Sequence, residues 1–405
     1  MPTAADDHYC EGAARLQLGT GFFRPDSRPS RDLGVLLLAD LVQCQARPVS
    51  AAASEPVAVL DAMAGCGIRA LRYGLEALVH APGAVLWVND ADQDRLPLLQ
   101  RNLAALAPLG LQVQAGSQTA QQLLAGCLLQ RRRFDCLDLD AFGCPSALVP
   151  LALEAVRLDG LLYLASTDGR SPTGHDRSGA VRRLGAAARA HPASWELALR
   201  LQIGVIARAA WTQGRSIEPV LSFSEGRTFR TAVRLKRHAA GSELAQLGLL
   251  AHCHGCGDQQ VQSLLQLRQW QPCLCGPTPP PLAISGPLWI GPLQHQPTLA
   301  RLQALADRGD PALGASLITD SRRLLARLGA DPGDLPRCWP TSSIGRHLGC
   351  GGAPPLQALV AQLQQQGFRA GISGVMPGQL RSDAPWSEIL QSAARVGSGG
   401  ARAAK

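Results

Sequence analysis

At 405 residues the chain exceeds one ordinary domain, so two are expected. With 46% hydrophobic residues it can build a core, and no apolar run reaches the length of a membrane span, Leu33 to Val42 being short and interrupted by Asp40. The acidic stretch MPTAADDHYCEG lacks the layout of a secretory signal, twelve cysteines in such a chain argue against a disulfide framework, and a cytoplasmic protein is expected. The net charge of +8 suits a polyanionic partner such as nucleic acid. Lysine occurs only at Lys236 and Lys405, so the charge is arginine, an excess that GC-rich coding explains equally well.

In chain order, the first half alternates strand and helix signals, the pattern of an α/β sheet. Val57 to Leu60 is a short apolar strand, and Ile68, Leu71, Leu75 and Leu78 recur at helical spacing after a glycine turn. Val85 to Val88 is the next strand and Arg95 to Leu106 the next helix. Phe134 to Leu139 and Leu161 to Ala165 read as strands, Ser194 to Ala210 as a long amphipathic helix, and Val220 to Phe223 with Thr231 to Leu235 as a closing strand pair. The pattern breaks near Arg237, which places a first domain over residues 1–238 and a smaller α/β domain over 239–395. The second part holds a cysteine-bearing segment, the proline-rich Gly276 to Pro281, helices from Thr298 to Leu328 and an α/β-like region from Pro355 to Pro377. Residues 396–405, rich in Gly and Ala, are expected to form a disordered tail.

The turn in VLDAMAGCGIRAL, Val59 to Leu71, joins strand to helix. Gly65 and Gly67 let backbone approach a ligand, and the helix behind them offers free N–H groups. Asp61 ends the first strand, where S-adenosylmethionine enzymes keep an acid, and Asp90 ends the second, where a carboxylate accepts ribose hydroxyls. Gly65-x-Gly67-x-x-Ala70 also satisfies the dinucleotide fingerprint, so these residues support a nucleoside cofactor without choosing between NAD and S-adenosylmethionine.

FDCLDLDAFGCP, Phe134 to Pro145, makes the choice. Ligands of open α/β sheets sit beyond the carboxyl ends of the strands, so Asp140 and Phe142 reach the crevice of Gly65 and Asp90. An exocyclic amine is a poor nucleophile because its lone pair is delocalised into the base. A carboxylate accepting its N–H localises that pair and takes up the proton, while an aromatic face holds the base by stacking worth about 1–3 kcal/mol. Asp138 alternates with Leu139 and shares the face of Asp140, where it either serves the site or pairs with arginines.

On these residues the chain resembles the tRNA guanine-26 N2-dimethyltransferases over nearly its whole length. GFFRPDSRPSRDL is similar to the family's opening motif, LDAMAGCGIRALRYGLE to its cofactor turn and DLDAFGCP to its catalytic motif. STDGR, WELALR, GPLWIGPL and LRSDAPW follow in the family's order. The resemblance implies a Rossmann-like class I methyltransferase sheet, with Arg31 and Arg69 holding the methionine carboxylate of S-adenosylmethionine and Asp90 the ribose. It implies Phe22 and Phe142 as the clamp on guanine and Asp140 as the catalytic carboxylate. Thr119 and Ala120 fall where the family holds the adenine side of the cofactor, with Thr119 in place of an acid. Ala141 replaces a proline and Cys144 a serine of the catalytic motif, and Gly169 to Ala188 lacks the family's tyrosines.

Cys253 and Cys256, then Cys273 and Cys275, are two close pairs at the separation of a structural zinc site, with His252 and His254 as substitute ligands. The expected function is therefore transfer of one or two methyl groups to N2 of a tRNA guanine, with zinc pinning the joint between domains and no obligate protein partner. A methyltransferase acting on rRNA or DNA, an NAD-dependent oxidoreductase and a catalytically impaired tRNA-binding protein are the alternatives.

Overall fold

The computed structural model describes residues 8–45, 55–273, 275–308, 313, 317–349 and 352–402; Cys350 and both extreme termini lie outside them. The chain begins with an antiparallel hairpin, β1 (His8–Glu11) and β2 (Ala14–Gln17), and helix α1 (Arg28–Gln45). Strand β3 (Ala58–Asp61) leads into α2 (Ile68–Arg72), which continues as a π-helical turn over Tyr73–Ala77. There follow β4 (Val85–Asn89), α3 (Leu96–Leu103), β5 (Gln112–Gly116), α4 (Ala120–Leu129), β6 (Phe134–Asp140), α5 (Val149–Ala155) and β7 (Val156–Ser166). Helices α6 (Arg177–Leu184) and α7 (Ser194–Thr212) precede the hairpin of β8 (Ser216–Glu225) and β9 (Thr228–Lys236).

These strands form one seven-stranded sheet in the order β5-β4-β3-β6-β7-β9-β8, parallel except for β9. Successive side chains of a strand point to opposite faces, and the cores divide accordingly. Val59 and Cys136 join the core under α1, whereas Ala58, Leu60, Leu137 and Leu139 join the core under α4, α5 and α7. Asp138 and Asp140 are therefore on the α1 face. The chain runs outward from β3 to β5 and then returns to β6, so the strand order reverses between β3 and β6, the position at which open α/β sheets leave a ligand crevice. Strand β5, which periodicity missed, is an edge strand with exposed Gln112 and Gln114. Without a second buried face it carries no apolar run.

The second half contains β10 (Leu247–His252), β11 (Gln259–Ser263) and β12 (Ala283–Trp289) in an antiparallel sheet, then α8 (Gln296–Asp307) and α9 (Thr319–Gly329). Strands β13 (Cys338–Pro340), β14 (Ala370–Ile372) and β15 (Gln379–Ser382) form a third sheet, with α10 (Thr341–His347), α11 (Leu356–Gln365) and α12 (Trp386–Arg402). Among the described residues of this half, the last part has a core of its own, around Trp339, Leu359, Leu363 and Ile389. Leu299, Leu302, Leu325 and Leu328 instead extend the core under α1, and Trp289 and Leu293 extend the one under α7. A cut near 238 thus follows the end of the main sheet but not the boundary of its core.

The expected tail over 396–405 overlaps the end of α12, which runs to Arg402, and residues 403–405 lie outside the described residues. Ile389 and Ala393 bury one face of α12 against the small core and nucleate the helix, after which each added residue costs little.

The crevice between β3 and β6

A cavity of about 590 Å³, within the range of ligand sites, opens above the carboxyl ends of β3, β4 and β6. Its wall includes Phe22, Arg31, Gly65, Arg69, Asp90, Ala120, Asp140 and Phe142, which brings together eight of the residues singled out from sequence. Asp61, Gly67 and Thr119 are not on that wall. Gly67 begins α2 at φ 84°, and a Cβ there would meet Leu99 Cδ1 at 2.7 Å, so the residue serves the turn. Thr119 is exposed and its hydroxyl accepts from Gln122 N as the cap of α4. Asp61 is fully buried, and among the described residues neither of its carboxyl oxygens has a partner of good hydrogen-bond geometry. Burial and then the Asp138 carboxylate push its pKa well above the usual carboxylate range.

The residues fit a nucleoside cofactor. Gly65 adopts φ 57°, and the nearest atom to a Cβ there is Arg95 Nη1 at 3.7 Å, so its missing side chain leaves the approach to the turn open. The Gly65 amide donates to Asp90 Oδ2 at 2.8 Å and the Asp92 amide to Oδ1 at 3.0 Å, which fixes the carboxylate beyond β4.

Asp140 is the hub of the reacting end. Arg69 Nε donates to its Oδ2 at 3.1 Å, and Arg230 Nη2 lies 2.7 Å from the same oxygen. Burial alone would raise the Asp140 pKa, but Arg230 and Arg69 outweigh it and hold the group far below the usual carboxylate range. Asp138 is buried beneath, 3.6 Å from Arg69 Nη1 and 3.7 Å from Arg230 Nη1, and accepts from the Tyr73 hydroxyl at 2.6 Å. Of its two sequence readings, pairing with arginines is the observed one.

The loop that carries Asp140 and Phe142 is tied down without a proline. Gly143 N donates to Thr167 Oγ1 at 2.7 Å, and Gly143 O accepts from Thr167 N at 3.0 Å and Ser166 Oγ at 3.0 Å. Ala141 is buried beneath this lattice. Phe22 and Phe142 are the largest exposed aromatic side chains of the mouth, at 65% and 71%, and meet edge to face with centroids 5.4 Å apart. A base stacked between parallel rings needs contact distances of roughly 3.5–4 Å on each side, so the rings must part to admit one.

Sequence reasoning missed Glu11 and Arg230. Glu11 takes Arg31 in a bidentate pair at 2.7 and 2.6 Å and also accepts from Arg72 at 2.9 Å, which makes the β1–β2 hairpin a support for the cavity wall. Nothing local marks Glu11, because its partners lie in other elements.

The four cysteines meet where β10 turns into β11, and their sulfur atoms all lie within 4.8 Å of one another. Cys256 and Cys273 are 3.2 Å apart and Cys253 and Cys275 3.9 Å, near the roughly 3.8 Å expected between thiolates around zinc with bonds of about 2.3 Å. A Cβ on Gly255 would come within 3.1 Å of Cys275 Sγ, a tight contact that would press on the thiol cluster. His252 and His254 are outside this set, and their rings meet each other instead. A chain purified with its metal should release one equivalent of zinc on thiol modification. Cys253→Ser should lose the zinc and melt roughly 5 °C lower, the shift that about 2 kcal/mol produces in a domain of this size; unchanged melting with no zinc in the native chain would reject the site.

The family profile of N2,N2-dimethylguanosine tRNA methyltransferase matches residues 16–394. A tRNA (guanine(26)-N(2))-dimethyltransferase of Pyrococcus abyssi is 27% identical over 92% of this chain and 93% of its own length. The protein of that name from Methanocorpusculum labreanum is 30% identical over 78% and 77%. The solved structure of Trm1 from Pyrococcus horikoshii with S-adenosyl-L-methionine covers 95% of this chain and 99% of its own with a TM-score of 0.78 at 24% identity, which shows the shared fold. With its sheet order, crevice and motif series in place, the chain belongs to the N2,N2-dimethylguanosine tRNA methyltransferase family.

Proposed function

We infer that the chain transfers methyl groups from S-adenosylmethionine to N2 of a guanine in tRNA, position 26 being the site in its relatives' names. The observation that carries this reading is the placement of ionised Asp140 and exposed Phe22 and Phe142 at the mouth of the cavity that also holds Gly65 and Asp90. When bound, S-adenosylmethionine supplies a sulfonium methyl as the electrophile. Asp90 and the Gly65 turn are the residues to hold its nucleoside, and Arg31 and Arg69 are proposed for its carboxylate, which then shares their guanidinium groups with Glu11 and Asp140.

On the substrate side, the two phenylalanines flank the base and Asp140 accepts an N–H of its exocyclic amine. That bond orients the nitrogen lone pair towards the methyl. The proton leaves only as the new N–C bond forms, because the paired carboxylate is a weak base until the amine gains positive charge. After the first transfer the amine retains one N–H, so the same contact serves a second round.

The convergence of the four cysteines supports a structural zinc site, and among the described residues no helix is long and apolar enough to cross a membrane. Incubation with unmodified tRNA and methyl-labelled S-adenosylmethionine should yield label in N2-methylated and dimethylated guanosine. Label on adenosine, or none, would reject the reading.

The tRNA backbone has a docking point at the rim. Arg24 and Arg227 are exposed on the cavity wall and, among the described residues, show no carboxylate partner, unlike Arg31, Arg69, Arg95 and Arg230. The double change Arg24→Ala with Arg227→Ala should raise KM for tRNA roughly tenfold and reduce the salt slope of binding by about 2, with kcat little changed. An unchanged salt slope would remove the two arginines from the tRNA interface.

A further inference from the structure

The Asp140 carboxylate is held asymmetrically. Arg69 Nε and Arg230 Nη2 both address Oδ2, at 3.1 and 2.7 Å, while Oδ1 has no partner among the described residues and Asp140 lines the cavity. Arg230 reaches this point from two strands away because Asp140 pairs in register with Ala165 of β7, and Ala165 with Arg230 of β9. Neighbouring strands are about 4.8 Å apart, and an arginine side chain spans that double interval.

The Arg230 side chain is buried and its course is fixed. Its guanidinium lies over the Tyr163 ring, 5.2 Å from the centroid, and the Tyr163 hydroxyl is anchored on Ser30 O at 2.9 Å. Arg230 Nε and Nη1 are buried without hydrogen-bond partners, although Nη1 lies 3.7 Å from Asp138 Oδ1. Burying a guanidinium with two unanswered nitrogens is costly, so a structural role alone is poorly served here. Its one close contact is with the carboxylate that meets the substrate.

Resting on the methyltransferase reading above, we propose that Arg230 is a positioning residue that, with Arg69, pins Oδ2 of Asp140 and thereby presents Oδ1 as the single acceptor for the N–H of the target amine. During transfer the methyl carbon leaves sulfur, which keeps the electron pair as a thioether. The new bond is made by the amine lone pair, and the amine proton passes through Oδ1 to water. A single presented oxygen suits both rounds, since the amine brings two N–H groups to the first and one to the second. The second round depends more on the acceptor's direction, because the monomethylated amine has no alternative N–H to offer.

The groups facing Asp140 are Arg69, Arg230 and the carboxyls of Asp61 and Asp138, while the Tyr163 hydroxyl and the Glu225 carboxyl face the two arginines. The arginines dominate and lower the Asp140 pKa. Removing one raises it, so activity that needs the anion is lost at a higher pH as the solution is acidified.

The test compares wild type, Arg230→Lys and Arg230→Met with S-adenosylmethionine affinity and thermal melting measured alongside. Both variants should bind S-adenosylmethionine within about threefold of wild type. Arg230→Met should lower kcat by about 10²-fold, the scale of a misplacement of about 1 Å, and leave monomethylguanosine as the main product. The acid limb of its pH–kcat profile should move upward, with Arg230→Lys intermediate in all three readouts. Wild-type kcat, product ratio and pH profile in Arg230→Met would overturn the proposal. So would a loss explained wholly by lowered melting or S-adenosylmethionine affinity with an unmoved profile. If wild type itself labels no guanosine, the methyltransferase reading fails instead.

Discussion

Asp140→Asn is expected to lower the rate of methyl transfer by 10²–10³-fold, about 2.7–4 kcal/mol of transition-state stabilisation, while tRNA still binds. The amide is nearly isosteric with the carboxylate, so the change is electronic and directional. Arg69 and Arg230 are donors and both point at the Oδ2 position, so they select the rotamer that turns the amide oxygen towards themselves. The amide NH2 then faces the exocyclic amine, donor against donor. Single-turnover transfer with saturating tRNA and S-adenosylmethionine measures the effect, and a rate within threefold of wild type would remove Asp140 from the chemistry. Because two buried arginines lose a counter-charge, melting of the variant must be recorded with the rate. Phe142→Ala at the same mouth should act through the base, raising KM for tRNA with a stacking loss of about 1–3 kcal/mol.

The largest stability effect belongs to a different place, the ion network that joins the small C-terminal core to α7. Arg381 of β15 pairs with Glu196 of α7, Nη2 to Oε2 at 2.7 Å, and with Asp331 Oδ2 at 2.9 Å. Glu196 also accepts from Arg200 Nε at 2.8 Å, and Arg200 donates to the carbonyls of Gly291 at 2.9 Å and Gly333 at 2.6 Å. All four charged side chains are buried. Arg381→Met should destabilise the chain by about 3–5 kcal/mol, because Asp331 would remain buried with its charge uncompensated and Glu196 would keep Arg200 alone as its partner. Chemical denaturation measures this, and a loss below about 1 kcal/mol would show that water reaches the network.

The pH dependence has a definite sign. Burial would raise the Glu196 pKa, but Arg381 and Arg200 outweigh it and hold it below the ordinary glutamate value. Its contribution is therefore present above about pH 4.3 and is lost as pH falls through the lower folded-state value. The joint between the two parts of the chain should loosen on acidification and remain intact at neutral pH.

What the sequence by itself determined was local or periodic. Apolar residues located β3, β4, β6 and β7 to within a few residues, except that β7 is longer at its start, because strands covered on both faces are rich in buried apolar side chains. The order of glycine turn, Asp90 and Asp140-x-Phe142 placed a nucleoside-dependent amine chemistry at the crevice, since each lies at the carboxyl end of a strand. The cysteine spacing was legible for the same reason, the members of each pair being close in the chain. The tertiary structure decided what depends on partners distant in the chain. Arg230 looks like a charge misplaced in the apolar strand β9 until the register Asp140–Ala165–Arg230 is known. Glu11 gains meaning only when its hairpin meets Arg31 and Arg72, and the motif arginines prove to be held by acids that no spacing connects to them. A missing proline beside Asp140 is offset by Thr167 and Ser166 from the end of β7. Side-chain periodicity reports which face is buried, whereas strand register and long-range ion pairing fix which oxygen of Asp140 the two arginines hold.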